Sequence, residues 1–167
     1  MLRIHRSVDY GYFGAAAHDV FYAAYRFSGT DRGAANDSPR AAAQRLRGVS
    51  PQLKFDVDID TTWGMIKLTG GSDTTHPDRP TLLIIDTGGN DTYLNCPSNA
   101  SAGNWASVVI DTQGNDKYLS DPGLAATDVE KFDKRRTGGA KPGPGGALFG
   151  VSALVDLQGD DRYATHR

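Results

Sequence analysis

Six aspartates and three tyrosines recur at fixed places within one repeated stretch of this chain. The copies read Leu83-Ile84-Ile85-Asp86-Thr87-Gly88-Gly89-Asn90-Asp91-Thr92-Tyr93, then Val108-Val109-Ile110-Asp111-Thr112-Gln113-Gly114-Asn115-Asp116-Lys117-Tyr118, then Ala153-Leu154-Val155-Asp156-Leu157-Gln158-Gly159-Asp160-Asp161-Arg162-Tyr163. A weaker copy, Thr69-Gly70-Gly71-Ser72-Asp73-Thr74-Thr75, precedes them. Aligned on the turn glycines Gly71, Gly89, Gly114 and Gly159, the turn stays constant while the chain between copies varies in length. Stacked at about 4.8 Å, such units would place like carboxylates above one another. Two unit charges about 4 Å apart repel by about 1 kcal/mol in water and about 4 kcal/mol at an effective dielectric near 20. A hard cation would offset that repulsion, and calcium accepts carboxylates together with turn carbonyls. The expected metal ligands are therefore Asp86, Asp91, Asp111, Asp116, Asp156 and Asp161. The competing reading has each Asp accepting backbone N–H bonds in its own turn, with the tyrosine hydroxyls, Lys117 and Arg162 supplying the balance.

Other chemistry has less to stand on. There is no His-Glu-x-x-His, and His5, His18, His76 and His166 are scattered without ligand spacing. No Gly-x-Ser-x-Gly elbow occurs. Gly145 to Ser152 has the glycine spacing of a phosphate loop, but Val151 stands at the lysine position. What remains is the carboxylate set, including Asp56, Asp58 and Asp60, which could serve glycoside hydrolysis or lyase chemistry. Acid–base work needs two carboxylates in different environments, and near-identical copies argue against that. The expected function is accordingly a non-enzymatic repeat module with a structural or interaction role, either calcium-associated or simply structural, and no catalytic residue is assigned. The alternative is a carbohydrate-active hydrolase or lyase using Asp carboxylates.

The elements that would position these groups follow from the same stretch. Three or four aliphatic residues make a short buried strand. Gly followed by a small polar residue then fits a two-residue hairpin turn, which would set Asp86, Asp91 and Tyr93 on one face. The spacing predicts stacked tyrosines at 93, 118 and 163. Upstream, Tyr10, Phe13, Ala17, Val20, Phe21, Ala24 and Phe27 form one helical stripe, and Ser38-Pro39 opens a second helix ended by Gly48. Phe55, Val57 and Ile59 alternate with Asp56, Asp58 and Asp60 as a half-buried strand. The fold class is thus mainly β with an N-terminal helical part: a helical cap over 1–50, then β-solenoid-like stacked repeats over 51–167 with an inserted loop at 120–146. Within that loop Thr127 and Glu130 predict a short helix, and Lys131, Lys134, Arg135, Arg136 and Lys141 make it the best candidate for an acidic partner.

Gly89-Asn90-Asp91-Thr92-Tyr93 resembles the second half of the haemolysin-type (RTX) calcium-binding nonapeptide. That family has two glycines where this chain has Asp86-Thr87, and its units follow one another much more closely. A closer resemblance is to bacterial proteins that repeat a hydrophobic run plus Asp-x-Gly-Gly-Asp-Asp-x-Tyr. It covers roughly residues 55–167 and implies a β-solenoid-like fold without an established activity.

Composition sets the outer limits. A chain of 167 residues with net charge −2 suits one domain and carries no basic footprint for nucleic acid. No apolar run approaches the roughly 20 residues of a membrane span, and no signal peptide is visible. An extracellular or cell-surface setting fits if the chain is part of a larger protein. Cys96 is alone, which excludes an internal disulfide. Since only Ala164-Thr165-His166-Arg167 follow the last copy, its edge is expected to meet further repeats, another domain or a second copy of the chain.

Overall fold

The computed structural model describes residues 53–95, 97–101, 103–120 and 142–165, together with Ala15, His18, Asp19 and Tyr22. Those four are helical and exposed. The remaining N-terminal readings, and those for residues 121–141 of the insertion, lie outside the described residues.

The fold is mainly β, in two sheets. Long strands β1 (Asp56–Thr61), β2 (Gly64–Thr69), β4 (Thr81–Asp86), β6 (Ala106–Asp111) and β8 (Val151–Asp156) form one sheet in the order β1-β2-β4-β6-β8. Short strands β3 (Thr75–His76), β5 (Thr92–Leu94), β7 (Lys117–Leu119) and β9 (Arg162–Ala164) form the other, in the order β3-β5-β7-β9. Apart from antiparallel β1 and β2, every pairing is parallel. Each copy therefore gives one strand to each sheet. The expected two-residue hairpin is corrected: β4 does not fold back on β5, and the turn instead carries the chain from one sheet to the other. Gly followed by Asn suits such a bend as well as a hairpin, because both need positive φ.

In-register pairing sorts the residues into rows. Lys67, Ile84, Val109 and Leu154 share one row, and Thr69, Asp86, Asp111 and Asp156 another. Ile84 and Val109 pack against Tyr93 and Tyr118 between the sheets, with Leu154 beside them. On the opposite face of the long sheet every residue in two rows is aliphatic: Ile66, Leu83, Val108 and Ala153, then Leu68, Ile85, Ile110 and Val155. Strand β1 departs from its half-buried expectation. Val57 and Ile59 are 43% and 48% exposed because β1 is an edge strand with a sheet neighbour on one side only. Its carboxylates lie exposed along that edge and are also paired. Asp56 and Asp58 both bind the buried Lys67 ammonium, Asp58 at 2.7 Å, and Asp60 pairs with Arg79. Burial works against the Lys67 charge, but these two carboxylates outweigh it and raise its pKa. Among the described residues, no helix is long and apolar enough to cross a membrane.

Stacking dictates the turn glycines. Gly114 and Gly159 have φ of 156° and 157°, and a Cβ on either would overlap the carbonyl oxygen of the turn before it, at Gly89 and Gly114 respectively. Gly114→Ala is expected to destabilise by more than about 1 kcal/mol, since it adds backbone strain and pushes two turns apart. Gly103→Ala, with nothing within 4 Å of the added carbon, should leave the denaturation midpoint nearly unchanged. Equal midpoints for the two variants in urea would contradict the stacking account.

Candidate metal centre

The two sheets bring a histidine and two aspartates together. β3 carries His76, β4 ends on Asp86, and the bend at Gly88 and Gly89 delivers Asp91 just before β5. His76 and Asp86 are 0% exposed and Asp91 1%. One ligand atom from each lies within 4.8 Å of the others, a spacing that a metal ion can bridge.

Each member is held by its row. His76 pairs in register with Tyr93, and their rings stack at 4.2 Å and 8°. The column continues from Tyr93 to Tyr118 at 4.6 Å and on to Tyr163 at 4.9 Å, as the repeat spacing leads one to expect. His76 thus occupies the tyrosine position of the first, weaker copy. Its Nε2 lies 2.9 Å from Asp86 Oδ2, where Tyr93 Oη also donates at 3.2 Å. The Gly88 N–H donates to Asp86 Oδ1 at 3.1 Å. Tyr93 Oη reaches on to Asp111 Oδ2 at 2.8 Å, so one hydroxyl ties two layers together. Asp91 is held differently. Its Oδ1 accepts the Thr74 N–H at 2.5 Å, while its Oδ2 is buried without any hydrogen-bond partner, as is His76 Nδ1.

The remaining predicted ligands repeat the arrangement without the imidazole. Asp111 accepts Tyr118 Oη at 2.9 Å and the Gln113 N–H at 3.1 Å. Asp116 Oδ1 accepts the Asp91 N–H at 2.5 Å, and its Oδ2 is buried and unpartnered. Asp156 accepts Tyr163 Oη, and Asp161 Oδ1 accepts the Asp116 N–H at 2.9 Å. This last layer is more open, with Tyr163 52% exposed. A further ladder runs beside it: Asp73, Asn90 and Asn115 each accept the backbone N–H of Asn90, Asn115 and Asp160 in turn. It sets the register of the weak copy. Asp73 matches Asn90, and Thr69 matches Asp86, so Ser72 stands where Gly89 does and Gly71 matches Gly88. Gly71 is therefore not the equivalent of Gly89, Gly114 and Gly159.

The electrostatics of these layers are severe. Burial, reinforced by the charge of Asp86, pushes Asp91 up to about 8. Burial, then the charge of Asp111, pushes Asp116 up to about 9. Burial also raises Asp111 and takes the Tyr93 and Tyr118 hydroxyls well above their ordinary range, so both remain donors. The centre thus sets Asp86, saturated with donors, beside Asp91, which has an oxygen to spare.

Two sequence readings are corrected by this geometry. A purely structural, non-enzymatic calcium repeat does not fit, because the centre is a buried His-Asp-Asp set with two unlike carboxylates rather than one of several equal turns. The calcium and RTX-like assignment does not fit either: calcium takes oxygen ligands, and an imidazole in the donor set suits borderline metals such as zinc. His76 was missed because it looks isolated in sequence. Aligning Thr75-His76 with Thr92-Tyr93 is the signal that finds it.

The raised carboxyls fix a pH dependence. Above their ordinary value of 3.8, Asp91 and Asp116 keep protons in the folded chain that the unfolded chain has lost. Their contribution to stability is full below about pH 4 and is lost as pH rises through about 8 to 9. In excess chelator, thermal melts from pH 5 to pH 9 should show falling stability, and Asp116→Asn should flatten the fall. A melt that rises steadily to pH 9 would contradict the burial of these acids.

Compared with protein-family models, with curated proteins and with solved structures, the chain matches none.

Proposed function

We propose that the chain is a metal-dependent hydrolase or lyase acting on carbohydrate, with the metal held by His76, Asp86 and Asp91. One observation carries the reading: an imidazole and two carboxylates meet in a buried site, and Asp91 Oδ2 has no hydrogen-bond partner there. A buried carboxylate oxygen without a partner is costly, and a cation would satisfy it. The donor set suits a borderline divalent metal, which when bound polarises a substrate oxygen or activates a water.

The protein's own groups supply the positioning. The Tyr93 ring fixes the imidazole plane, and the Tyr93 hydroxyl and Gly88 N–H fix both oxygens of Asp86. Such supporting contacts commonly change metal affinity about 10- to 100-fold. Asp91 is the adjustable ligand. Protonated at neutral pH without metal, it gives up its proton on binding, so affinity rises with pH up to about 8. His76 lies in β3, the edge strand of the short sheet. Asp56, Asp58 and Asp60 are engaged by Lys67 and Arg79 and take no part.

The test loads stripped protein with zinc, manganese or calcium. It then measures stoichiometry by mass spectrometry of the metal and affinity by calorimetry. A transition metal should bind more tightly than calcium, and His76→Ala should weaken it by at least about 100-fold. No binding by the wild-type protein, with a melt indifferent to chelator, would end the metal reading. Loaded protein that turns over no member of a broad panel of glycosides and polysaccharides would end the catalytic one.

A further inference from the structure

The long sheet has a second face that no described strand covers. Its inner side chains meet Tyr93 and Tyr118 of the short sheet, which leaves the two aliphatic rows of the outer face without a partner among the described strands. Strand β1 lengthens both rows, because Ile59 pairs with Ile66 and Val57 with Leu68. All ten positions of the two rows are therefore aliphatic. A contiguous apolar face of this kind marks an interaction surface.

The two edges of this sheet are not alike. On β1, Val57 and Ile59 are exposed. On β8, the opposite edge, the outward-facing Val151, Ala153 and Val155 are only 6% to 8% exposed. An edge strand has a sheet neighbour on one side only, so burial of its outer side chains calls for a cover lying over the face. The described part of the preceding loop is turned elsewhere: Gly145 lies against Leu154, which faces inward, and Leu148 and Phe149 are themselves exposed. Two other stretches of the chain are long enough to serve. Residues 121–141 carry Lys131, Lys134, Arg135 and Arg136 and match an aliphatic face poorly. Residues 10–27 match it well, since Phe13, Ala17, Val20, Phe21, Ala24 and Phe27 recur at three- and four-residue steps. Ala15, His18, Asp19 and Tyr22 are helical and exposed, and at about 100° per residue they fall on the side opposite that stripe. Water on one side of the helix leaves the apolar side free to meet a surface.

We infer that residues 10–27 dock as an amphipathic helix on the outer face of the long sheet, lying across β2, β4, β6 and β8 with the phenylalanine stripe on the aliphatic rows. The dimensions agree. At about 1.5 Å per residue the stripe from Phe13 to Phe27 is about 21 Å long, and the four strands span about 14 Å at about 4.8 Å per step. The connection agrees as well. The chain rejoins the described residues at Leu53, directly before β1 of the same sheet, where the Leu53 carbonyl accepts the Gly71 N–H at 2.9 Å. The 25 residues from Ser28 to Gln52 reach any point on the face when extended. This is a different place from a cap over one end of the stack. It gives the sheet a helix on one face and the short sheet on the other, the two-sided burial that is usual for parallel strands.

Two experiments on the full-length chain test it. The first combines Phe21→Ala with Ile85→Ala, and separately with Val108→Ala, and reads the midpoint of urea denaturation. In at least one pair the double variant should lose less than the sum of its single changes, as residues in contact do. The second places a nitroxide on Ala15→Cys in a Cys96→Ser background and follows the methyl signals of Leu83, Ile85, Val108 and Ile110 by NMR. Those signals should broaden. A mixed sample, with the nitroxide and the isotope on different chains, should show no broadening. Because the label replaces an exposed residue, this second arm holds even where a change in the sheet prevents folding. Additive midpoints in both pairs, absence of broadening, or broadening in the mixed sample, which would make the occupant a second copy of the chain, would each overturn the inference.

Discussion

Parallel, in-register pairing is the constraint on which the rest depends. It puts the same position of successive copies in one row, so a favourable residue is favourable several times and a costly one is costly several times. Tyrosine gains by this: its ring stacks on the next, and the Tyr93 hydroxyl lies within hydrogen-bond reach of carboxylates in two layers. Aspartate pays for it. Asp86, Asp91, Asp111 and Asp116 are all at most 1% exposed, and Lys67, the one strongly buried lysine among the described residues, is committed to Asp56 and Asp58. Backbone N–H groups, tyrosine hydroxyls and retained protons carry most of the load, and the residue of it appears as free oxygens on Asp91 and Asp116.

Much of this was legible in the sequence because the repeat writes it three times. The aliphatic runs around Ile84, Val109 and Val155 gave the long strands, and the spacing of Tyr93, Tyr118 and Tyr163 gave the aromatic column. The path of the chain at each turn was not legible. A Gly-Asn pair states that the backbone adopts positive φ, and a hairpin and a crossing between sheets both meet that demand. Nor could strand alternation in β1 reveal that it lies at an edge, which is a property of the neighbours and not of the strand.

The centre itself depends on the copy that fits the pattern least. Thr69 replaces an aspartate and His76 a tyrosine in the weak copy, and the fold holds because threonine and imidazole fit the same places. Among the described residues, only there does an imidazole meet the carboxylate column. Three similar copies argued for a scaffold, and the argument fails at the fourth, where repetition supplies a prepared socket and the imidazole of His76 gives it different chemistry. The sequence signal was weak for a related reason: the glycines at 70 and 71 permit two alignments, and only the pairing of Thr69 with Asp86 decides between them.

The turn between sheets is constant in length, whereas the return from a short strand to the next long one is not. The ladder of Asp73, Asn90, Asn115 and Asp160 spans steps of 17, 25 and 45 residues without a change of register. Closing a longer loop costs only about 0.6 kcal/mol for each doubling of its length. The return segments are therefore the places where this architecture accepts new sequence. A peptide or a whole foreign domain with neighbouring termini could be grafted there without moving a strand, whereas a single residue added between Asp86 and Asp91 would turn an entire row to the wrong face.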